Sequence, residues 1–147
     1  MVENSPGAIR RALECWTRGR YILTAAHEQK RTGVFVESAQ PVGMDPPLIC
    51  VAARKGHPIG PMIRDTRHFG LCELTDADKV MLRKFAFDGW DRGDPFELFE
   101  IVRSRRGCPL LKKAAIALEC EVFLHLDLER ECELYIGEVM AVRMPPA

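Results

Sequence analysis

TGVFVESAQPVGMDPPLICVAARKGH, residues 32–57, is the stretch of the chain that decides its fold. It predicts a strand, a proline-containing turn, a second and nearly all-apolar strand, and then a cluster of basic residues. Val34, Phe35 and Val36 favour an extended backbone, and the prolines that follow them indicate the turn. The apolar run at residues 48–53 is typical of a strand that is buried on both faces.

The C-terminal third of the chain has the clearest strand periodicity. Apolar side chains alternate from Leu118 to Leu126, and a second alternating set runs from Leu134 to Val142. A period of two residues is the pattern of a half-buried strand, so we expect each set to form the buried face of its strand. The charged segment 127–132 between them has a length that suits a hairpin turn.

Short helices are predicted between the strands. Ser5 followed by Pro6 is a helix start, and Ile9, Leu13 and Trp16 then give one apolar stripe at helical spacing.

Three further helices are predicted along the chain. One covers residues 58–66, and another begins at Thr75, with Asp78 at the capping-box position. The third follows Asp94, because the apolar residues of segment 95–102 recur at three-residue spacing. At least six short strands without regular β–α–β alternation predict a mostly β protein with short helices, built as an antiparallel barrel.

Composition limits the function classes that the chain fits. Its 147 residues suit a single domain over residues 1–147. Lysine plus arginine and aspartate plus glutamate number 21 each, so no net positive charge favours nucleic acid. No apolar run approaches the ~20 residues that cross a bilayer, and the N-terminus is too charged for a secretory signal. We therefore expect a cytoplasmic protein without a membrane or nucleic-acid partner.

The six cysteines are scattered and form no CxxC pair, which favours reduced thiols over a disulfide framework. A metal site would need clustered ligands. Cys120 and Cys132 with His125 are the candidates for one, but their spacing matches no structural zinc pattern. We therefore predict no metal.

Four segments of the chain together resemble the flavin reductase-like family, the FMN-binding split barrels. In chain order they are VESAQPVGMDPPLI (36–49), ARKGHPIGPMIRDTRHF (53–69), GCPLLKKAAIALECEV (107–122) and LYIGEV (134–139). The resemblance implies a six-stranded Greek-key split β-barrel and a homodimer that holds FMN, or FAD, near the subunit interface. It also implies an NAD(P)H-dependent flavin reductase, with a monooxygenase as a partner that would receive the reduced flavin.

A flavin phosphate needs hydrogen-bond donors and positive charge from the protein. Arg54, Lys55 and His57 lie just before the predicted helix 58–66, whose first N–H groups would point to the same place. We predict that these three residues hold the phosphate. A solvated basic turn is the alternative interpretation.

The flavin ring needs backbone N–H and C=O groups at its pyrimidine edge. Glu37, Ser38, Ala39 and Gln40 lie where a strand gives way to a turn, so their backbone groups are expected to be free of the strand ladder. The Ser38 hydroxyl is a further donor toward the ring. We predict that these four residues contact it, and an ordinary strand end is the alternative.

The chain departs from the family pattern at Cys132, where typical reductases carry a histidine that helps to place the nicotinamide. A thiol does not replace an imidazole as a hydrogen-bond donor at neutral pH, so NAD(P)H use is less firmly implied than FMN binding. A second function class therefore stays open: a non-catalytic protein that binds FMN or another cofactor for electron transfer or sensing.

Overall fold

The structure is a computed structural model that describes residues 1–76 and 79–144. These residues form short helices and nine strands. In chain order the elements are α1 (Pro6–Glu14), β1 (Tyr21–His27), β2 (Lys30–Val36), β3 (Ala39–Met44), β4 (Pro47–Arg54), α2 (Ile59–Thr66), β5 (His68–Glu73), α3 (Lys79–Lys84), a 3-10 turn (Phe87–Gly89), β6 (Ile101–Arg103), β7 (Pro109–Leu111), β8 (Ile116–Asp127) and β9 (Cys132–Arg143).

Seven strands form one antiparallel sheet in the order β2-β1-β5-β8-β9-β4-β3. The chain leaves β4 and skips two strand positions to reach β5, and the hairpin β8–β9 later fills the gap. In the described part of the chain, the outer strands β2 and β3 do not pair with each other, and β6 pairs with β7 in a separate ribbon. The prediction of a mostly β split barrel with short helices is confirmed.

The strand count differs from the predicted six. The main sheet has seven strands because Ala39–Met44, predicted as a turn, is the strand β3. β3 lies at the edge of the sheet, where the missing N–H of Pro41 removes no bond that the sheet needs. The reversal of direction falls instead at Asp45 and Pro46, between β3 and β4.

β1 is buried on both faces because the sheet separates two cores. Leu23 packs inside the barrel with Val51, Phe69 and Tyr135. Ile22, its neighbour in sequence, points to a second core formed by the segment that follows β5, whose largest members are Met81, Phe85 and Phe96. The segment after β5 therefore covers the outside of the barrel wall.

Burial on β9 is opposite to the prediction. Glu133, Tyr135 and Gly137 face inward, whereas the apolar set that begins with Leu134 is half-buried or exposed. Gly137 explains which alternate set of β9 side chains faces inward. A Cβ atom at this position would lie 2.6 Å from the Phe69 ring, so only glycine lets β9 approach that ring. The alternating apolar residues of β9 therefore belong to a surface.

Burial on β4 and β8 also departs from the prediction in part. β4 was expected to be buried on both faces, but its burial alternates, with Val51 inside and Cys50 half-buried. On β8 the predicted inward residue Val122 is buried. A bulge between Val122 and Leu124 then shifts the register, and Leu124 and Leu126 are 41% and 40% exposed.

The helix predictions had mixed outcomes. The Ser5 cap of α1 is confirmed by a 3.2 Å bond from the Ala8 N–H to its Oγ, but the apolar stripe of α1 faces water. The helix at 58–66 is confirmed as α2. Asp78, the predicted capping acid before α3, lies outside the described residues.

The prediction of a helix after Asp94 was wrong. The Asp94 carboxylate accepts the Phe96 N–H at 2.9 Å, which stabilises a local turn, and Ile101–Arg103 becomes the strand β6. All six thiols are free. Within the described ranges, no helix is long and apolar enough to span a membrane.

Candidate functional site

The basic turn, residues 54–57, connects the end of β4 to α2. The Arg54 guanidinium lies 4.5 Å from the centre of the Phe87 ring. Lys55 donates its backbone N–H to the Glu131 carbonyl at 2.9 Å, and its ammonium pairs with the exposed Asp127 carboxylate. This hydrogen bond from Lys55 is the main cause that lowers the pKa of Asp127. The hairpin β8–β9 thus fixes the position of the basic turn.

His57 is buried and neutral, which corrects the expectation that it adds positive charge. Its Nδ1 accepts the Ile59 N–H at 3.1 Å, and burial lowers its pKa to about 4. Because Nδ1 accepts, the ring proton is on Nε2, which has no hydrogen-bond partner among the described residues. His57 therefore caps α2 and keeps one unused donor.

The first N–H groups of α2 are also not free, contrary to expectation. The N–H of Ile59 is bound to the His57 ring, and that of Gly60 donates to the His57 carbonyl at 3.2 Å. Pro58 and Pro61 have no N–H to offer. An anion beside the basic turn would therefore not be held by the end of this helix.

Backbone donors are nonetheless present in the basic turn itself. The N–H groups of Gly56 and His57 meet no acceptor within the described part of the chain. Gly56 has φ near +100°, a backbone conformation that side-chain-bearing residues rarely adopt. Two successive N–H groups directly after Arg54 and Lys55 in the chain have the chemistry of a phosphate site.

In the ring segment, residues 37–40, the carbonyl groups of Glu37 and Ser38 are occupied. The Glu37 carbonyl accepts the Gly19 N–H at 3.0 Å, and the Ser38 carbonyl accepts the Ala52 N–H at 3.1 Å. Gln40 pairs with Cys50 in the β3–β4 ladder, so the expectation that it is free of the ladder is wrong. Ala39 also belongs to β3, but its pair with Val51 is a non-hydrogen-bonded one, so its own backbone groups point away from β4. The N–H groups of Glu37 and Ser38 find no acceptor among the described residues and remain as donors.

A small cavity of about 310 Å³ opens beside this segment. Its lining residues are Leu13, Trp16, Thr17, Arg18, Glu37 and Ser38. Trp16 is 74% exposed, so an indole face is available next to the free N–H groups. An aromatic wall beside hydrogen-bond donors suits a planar ring with carbonyl groups at its edge.

The structure brings the two predicted groups together at one end of β4. Ser38 is bonded to Ala52, and Arg54 is two residues farther along the same strand. Two residues of extended chain span about 7 Å. The donors of the ring segment and those of the basic turn therefore lie within the span of one small ligand.

Sequence reasoning missed a cluster of buried polar side chains at this end of the barrel. Glu133 is 5% exposed; its carboxylate receives the Tyr135 hydroxyl at 2.5 Å, the Arg64 guanidinium at 3.2 Å and approaches His125 Nε2 at 3.2 Å. The Tyr135 and His125 rings stack with centres 4.7 Å apart. Burial, and then the carboxylate, raise the pKa of Tyr135. We call these four residues the carboxylate cluster.

Three members of the carboxylate cluster, Arg64, His125 and Glu133, line a cavity of about 650 Å³ that they share with the basic turn. The lining residues are Lys55, Gly56, His57, Pro58, Gly60, Pro61, Arg64, Trp90, His125, Asp127 and Glu133. One signal in the sequence pointed to the cluster: Glu133 and Tyr135 have the two-residue spacing of one strand face. Nothing in the sequence linked them to Arg64, which lies on α2.

The candidate metal ligands do not come together. Cys120 is opposite Val139 in the hairpin, whereas Cys132 begins β9 and pairs with Arg54 on the other side. Seven residues of strand separate Val139 from Cys132, which is about 23 Å. Among the described residues there is no group of three potential metal ligands.

A family model for the flavin reductase like domain matches residues 13–147. The chain belongs to the flavin reductase-like family. The match includes the basic turn, the ring segment and both strands of the carboxylate cluster, so the family resemblance read from the four sequence segments is confirmed.

Relatives of this family member include two curated proteins. The reductase subunit of stachydrine N-demethylase from Rhizobium meliloti is 29% identical over 118 residues, which are 80% of this chain and 50% of that protein. The FMN reductase (NADH) SmoA of Agrobacterium fabrum is 26% identical over 138 residues, 94% of this chain and 76% of that protein. The flavin reductase-like chain thus spans half the length of the first relative.

Solved structures confirm the split-barrel fold. The flavin reductase of styrene monooxygenase from Pseudomonas putida superposes with a TM-score of 0.80 at 26% identity, over 95% of this chain and 87% of that chain.

Proposed function

We propose that this flavin reductase-like protein is a cytoplasmic NAD(P)H-dependent flavin reductase that binds FMN or FAD. One observation carries the proposal: four backbone N–H groups without acceptors among the described residues, at Glu37, Ser38, Gly56 and His57, lie at one end of β4 beside two cations. Donors of this kind fit the carbonyl edge of a flavin ring and its phosphate. The names of the relatives, a flavin reductase and an FMN reductase (NADH), support the same activity.

In this proposal each group has one task. Arg54 and Lys55 attract the phosphate, and the N–H groups of Gly56 and His57 hydrogen-bond to it. The N–H groups of Glu37 and Ser38 orient the ring edge, where the Ser38 hydroxyl is a further donor. The flavin, when bound, supplies the acceptor for a hydride from the nicotinamide, a chemistry that needs no acid or base from the protein.

We also propose a homodimer, whose interface is the outer face of β4, β9 and β8. The register places apolar side chains of the three strands side by side, namely Cys50, Ala52, Leu124, Leu126, Leu134 and Ile136. A contiguous apolar patch on a monomer is a common mark of an interaction site. The patch adjoins the ring segment, because Gln40 pairs with Cys50.

A partner oxygenase is the proposed recipient of the reduced flavin. One relative is by name the reductase subunit of a demethylase, and the superposed Pseudomonas putida protein is the flavin reductase of a monooxygenase. A reductase of this kind releases its product, so we expect flavin to behave as a substrate that exchanges with solution.

The proposal is tested by titrating the purified protein with FMN and following NADH or NADPH absorbance. We expect saturable FMN binding and nicotinamide oxidation that requires added flavin. Tight FMN binding without oxidation of either nucleotide would favour an electron-transfer flavoprotein, the alternative that Cys132 raises. No binding of FMN or FAD at micromolar concentration would refute both functions.

A further inference from the structure

The helix α1 buries none of its residues in the described part of the chain. Ile9, Leu13 and Trp16 form one apolar stripe at helical spacing, yet they are 51%, 62% and 74% exposed. A helix of nine residues is not stable in water by itself, and an amphipathic helix is stabilised by burying its apolar face. A stripe of this kind fits the surface of a second molecule.

One arginine borders the apolar stripe of α1. Successive residues of a helix are about 100° apart around its axis, which places Arg10 next to the stripe and Arg11 on the opposite side. Neither guanidinium makes an ion pair with a carboxylate of the described residues. The helix therefore presents an apolar stripe with an unpaired cation at its border.

The outer face of the hairpin β8–β9 carries a complementary group of side chains. Glu121 and Glu138 are direct cross-strand partners, and both alternate with inward-facing positions such as Val122. Phe123 and Met140, each two residues farther along its strand, are 63% and 52% exposed. We call Glu121, Glu138, Phe123 and Met140 the acidic face. It combines two carboxylates with two exposed apolar side chains.

The two carboxylates of the acidic face repel each other, because like charges directly opposite on neighbouring strands destabilise a sheet. On the flanking strands, Leu48 is opposite Glu138, and His68 is opposite Glu121. The His68 Nδ1 atom contacts a backbone carbonyl at 2.8 Å, and the Arg67 guanidinium donates to another at 3.4 Å. Within the ranges that the structure describes, no cation pairs with either carboxylate. The acidic face therefore lacks a counter-ion from its own chain.

Two-fold symmetry relates the position of α1 to that of the acidic face. Gly19 donates its N–H to the Glu37 carbonyl at 3.0 Å, so the chain leaves α1 beside the ring segment, at the Ala52 end of β4. The acidic face is at the other end of this strand, opposite Leu48. The apolar patch of the proposed homodimer lies between these two ends. A two-fold axis that crosses the strands at the middle of the patch exchanges the ends, and so brings α1 of one subunit to the acidic face of the other.

We propose that α1 of each subunit packs on the acidic face of a second copy of this chain. The apolar stripe contacts Phe123 and Met140 in this arrangement, and the Arg10 guanidinium lies between the two carboxylates. A guanidinium has several N–H donors and matches carboxylate oxygens, so one arginine relieves the repulsion of the acid pair. The inference rests on the homodimer of the proposed function, and it adds a reciprocal contact of α1 to the contact between the sheets.

The exchange of α1 bears on the proposed flavin ring site. Leu13 and Trp16, at the C-terminal end of the stripe, also line the cavity beside the ring segment. The second subunit therefore holds one wall of this cavity in place. In a monomer the same wall would be carried by a helix without a packing surface.

The first test reverses the charge on each surface separately. Arg10→Glu puts a third carboxylate at the contact, and Glu121→Lys with Glu138→Lys puts three cations there. Each variant alone should raise the Kd of the dimer about tenfold or more, because like charges disfavour an interface and every dimer contains the contact twice. Sedimentation equilibrium measures this Kd.

An equimolar mixture of the two variants distinguishes a contact between subunits from one within a chain. In a mixed dimer each α1 meets a face of opposite charge, so the mixture should dimerise with a Kd within about threefold of that of the unaltered protein. A mixture that does not recover would overturn the proposal, because α1 would then not contact the acidic face of a second copy.

Arg11→Glu is the matched control, since it makes the same change on the opposite side of α1. It should change the Kd of the dimer less than about twofold. Circular dichroism of every variant should match the unaltered protein, because none of the substituted side chains is buried. Equal losses with Arg10→Glu and Arg11→Glu, or no loss with any variant, would overturn the contact.

The contact of α1 and the proposed function fail in different ways. NADH oxidation with added FMN is measured on the same preparations. An unaltered protein that oxidises NADH but sediments as a monomer would overturn the contact and leave the reductase intact. Charge exchange that restores the dimer, in a protein without any flavin binding, would support the contact and overturn the reductase.

Discussion

The Tyr135 hydroxyl donates to the Glu133 carboxylate across 2.5 Å, although both side chains face the inside of a barrel wall two residues apart. Arg64 of α2 and His125 of β8 reach the same carboxylate. A Cβ atom on Gly60 would lie 3.1 Å from that carboxylate, so the first turn of α2 lies directly against it. The carboxylate cluster therefore joins α2 to two strands at the end of the barrel that holds the basic turn.

Glu133→Ala should destabilise the protein by about 3 kcal/mol, because removing one partner leaves the Arg64 guanidinium and the buried Tyr135 hydroxyl without their acceptor. Urea denaturation measures this change. Glu131→Ala, which removes an exposed carboxylate from the adjacent turn, is the control and should shift stability by no more than about 0.5 kcal/mol. Equal effects of the two changes would show that the cluster does not stabilise the fold.

The neutral state of His57 should make stability depend on pH. Its pKa is about 4 when folded and 6.5 as the ordinary value, so below pH 6.5 the unfolded chain binds a proton that the folded chain does not. The stabilisation is complete above pH 6.5 and is lost as pH falls toward 4. We expect roughly 2 kcal/mol of the free energy of unfolding to disappear over this range.

His57→Asn should remove that pH dependence, since its side-chain oxygen still accepts the Ile59 N–H but does not titrate. Denaturation curves at several pH values compare it with the unaltered protein. His27→Asn changes a histidine that is half exposed and should leave the pH dependence unchanged. The same slope in all three proteins would contradict a buried neutral ring at residue 57.

Arg54→Ala combined with Lys55→Ala should raise the Kd for FMN by well over tenfold, because two charge-assisted hydrogen bonds are lost, together worth ~3 kcal/mol. Equilibrium dialysis with FMN measures the change. Lys112→Ala with Lys113→Ala removes another adjacent pair of exposed cations and is the matched control. An unchanged Kd in the Arg54 and Lys55 variant would place the phosphate elsewhere.

FMN should quench the fluorescence of Trp16 more strongly than that of Trp90, because Trp16 lines the cavity beside the ring segment. The chain has two tryptophans, so Trp90→Phe and Trp16→Phe each leave one emitter. Titration with FMN, in parallel with dialysis, separates quenching from binding. If FMN binds without quenching Trp16, the Trp16 indole is not part of the ring site.

Ile136→Lys should convert the proposed dimer into a monomer, because it places a charge at the centre of the apolar outer face. Light scattering gives the mass in solution, and circular dichroism checks the fold. Val80→Lys, on the exposed side of α3, is a control with the same change of chemistry. A mass that is unaffected by Ile136→Lys would move the interface to another surface.

Sequence patterns predicted the strands better than the direction in which their side chains point. The segments 21–26, 48–53 and 69–74 are strands for nearly all of their length, as their apolar content indicated. Alternation alone did not show which alternate set of β9 is buried, because both the barrel interior and the outer face of this strand carry apolar residues. The close packing of Gly137 against Phe69 determines which set is buried, and that contact joins residues far apart in the chain.

The candidate site was predictable in location more than in detail. The family resemblance pointed to the ring segment and the basic turn. In the structure these two segments meet at one end of β4. The role of His57 was not predictable, because its burial under Phe87 and its bond to Ile59 depend on the folded chain. The hydrogen bonds of Glu119 were not predictable for the same reason. Its carboxylate accepts hydrogen bonds from two backbone N–H groups of a loop more than ten residues away.

The position of β9 in the sheet has a consequence for synthesis of the protein. This strand follows all the other described strands in sequence, yet it lies between β8 and β4 and is the link through which the hairpin β3–β4 joins the sheet. While a ribosome still holds residues 132–143 in its tunnel, that hairpin has no neighbour to pair with. Completion of the barrel is therefore expected only after residues 132–143 have emerged, and a nascent chain arrested earlier should be open to proteases.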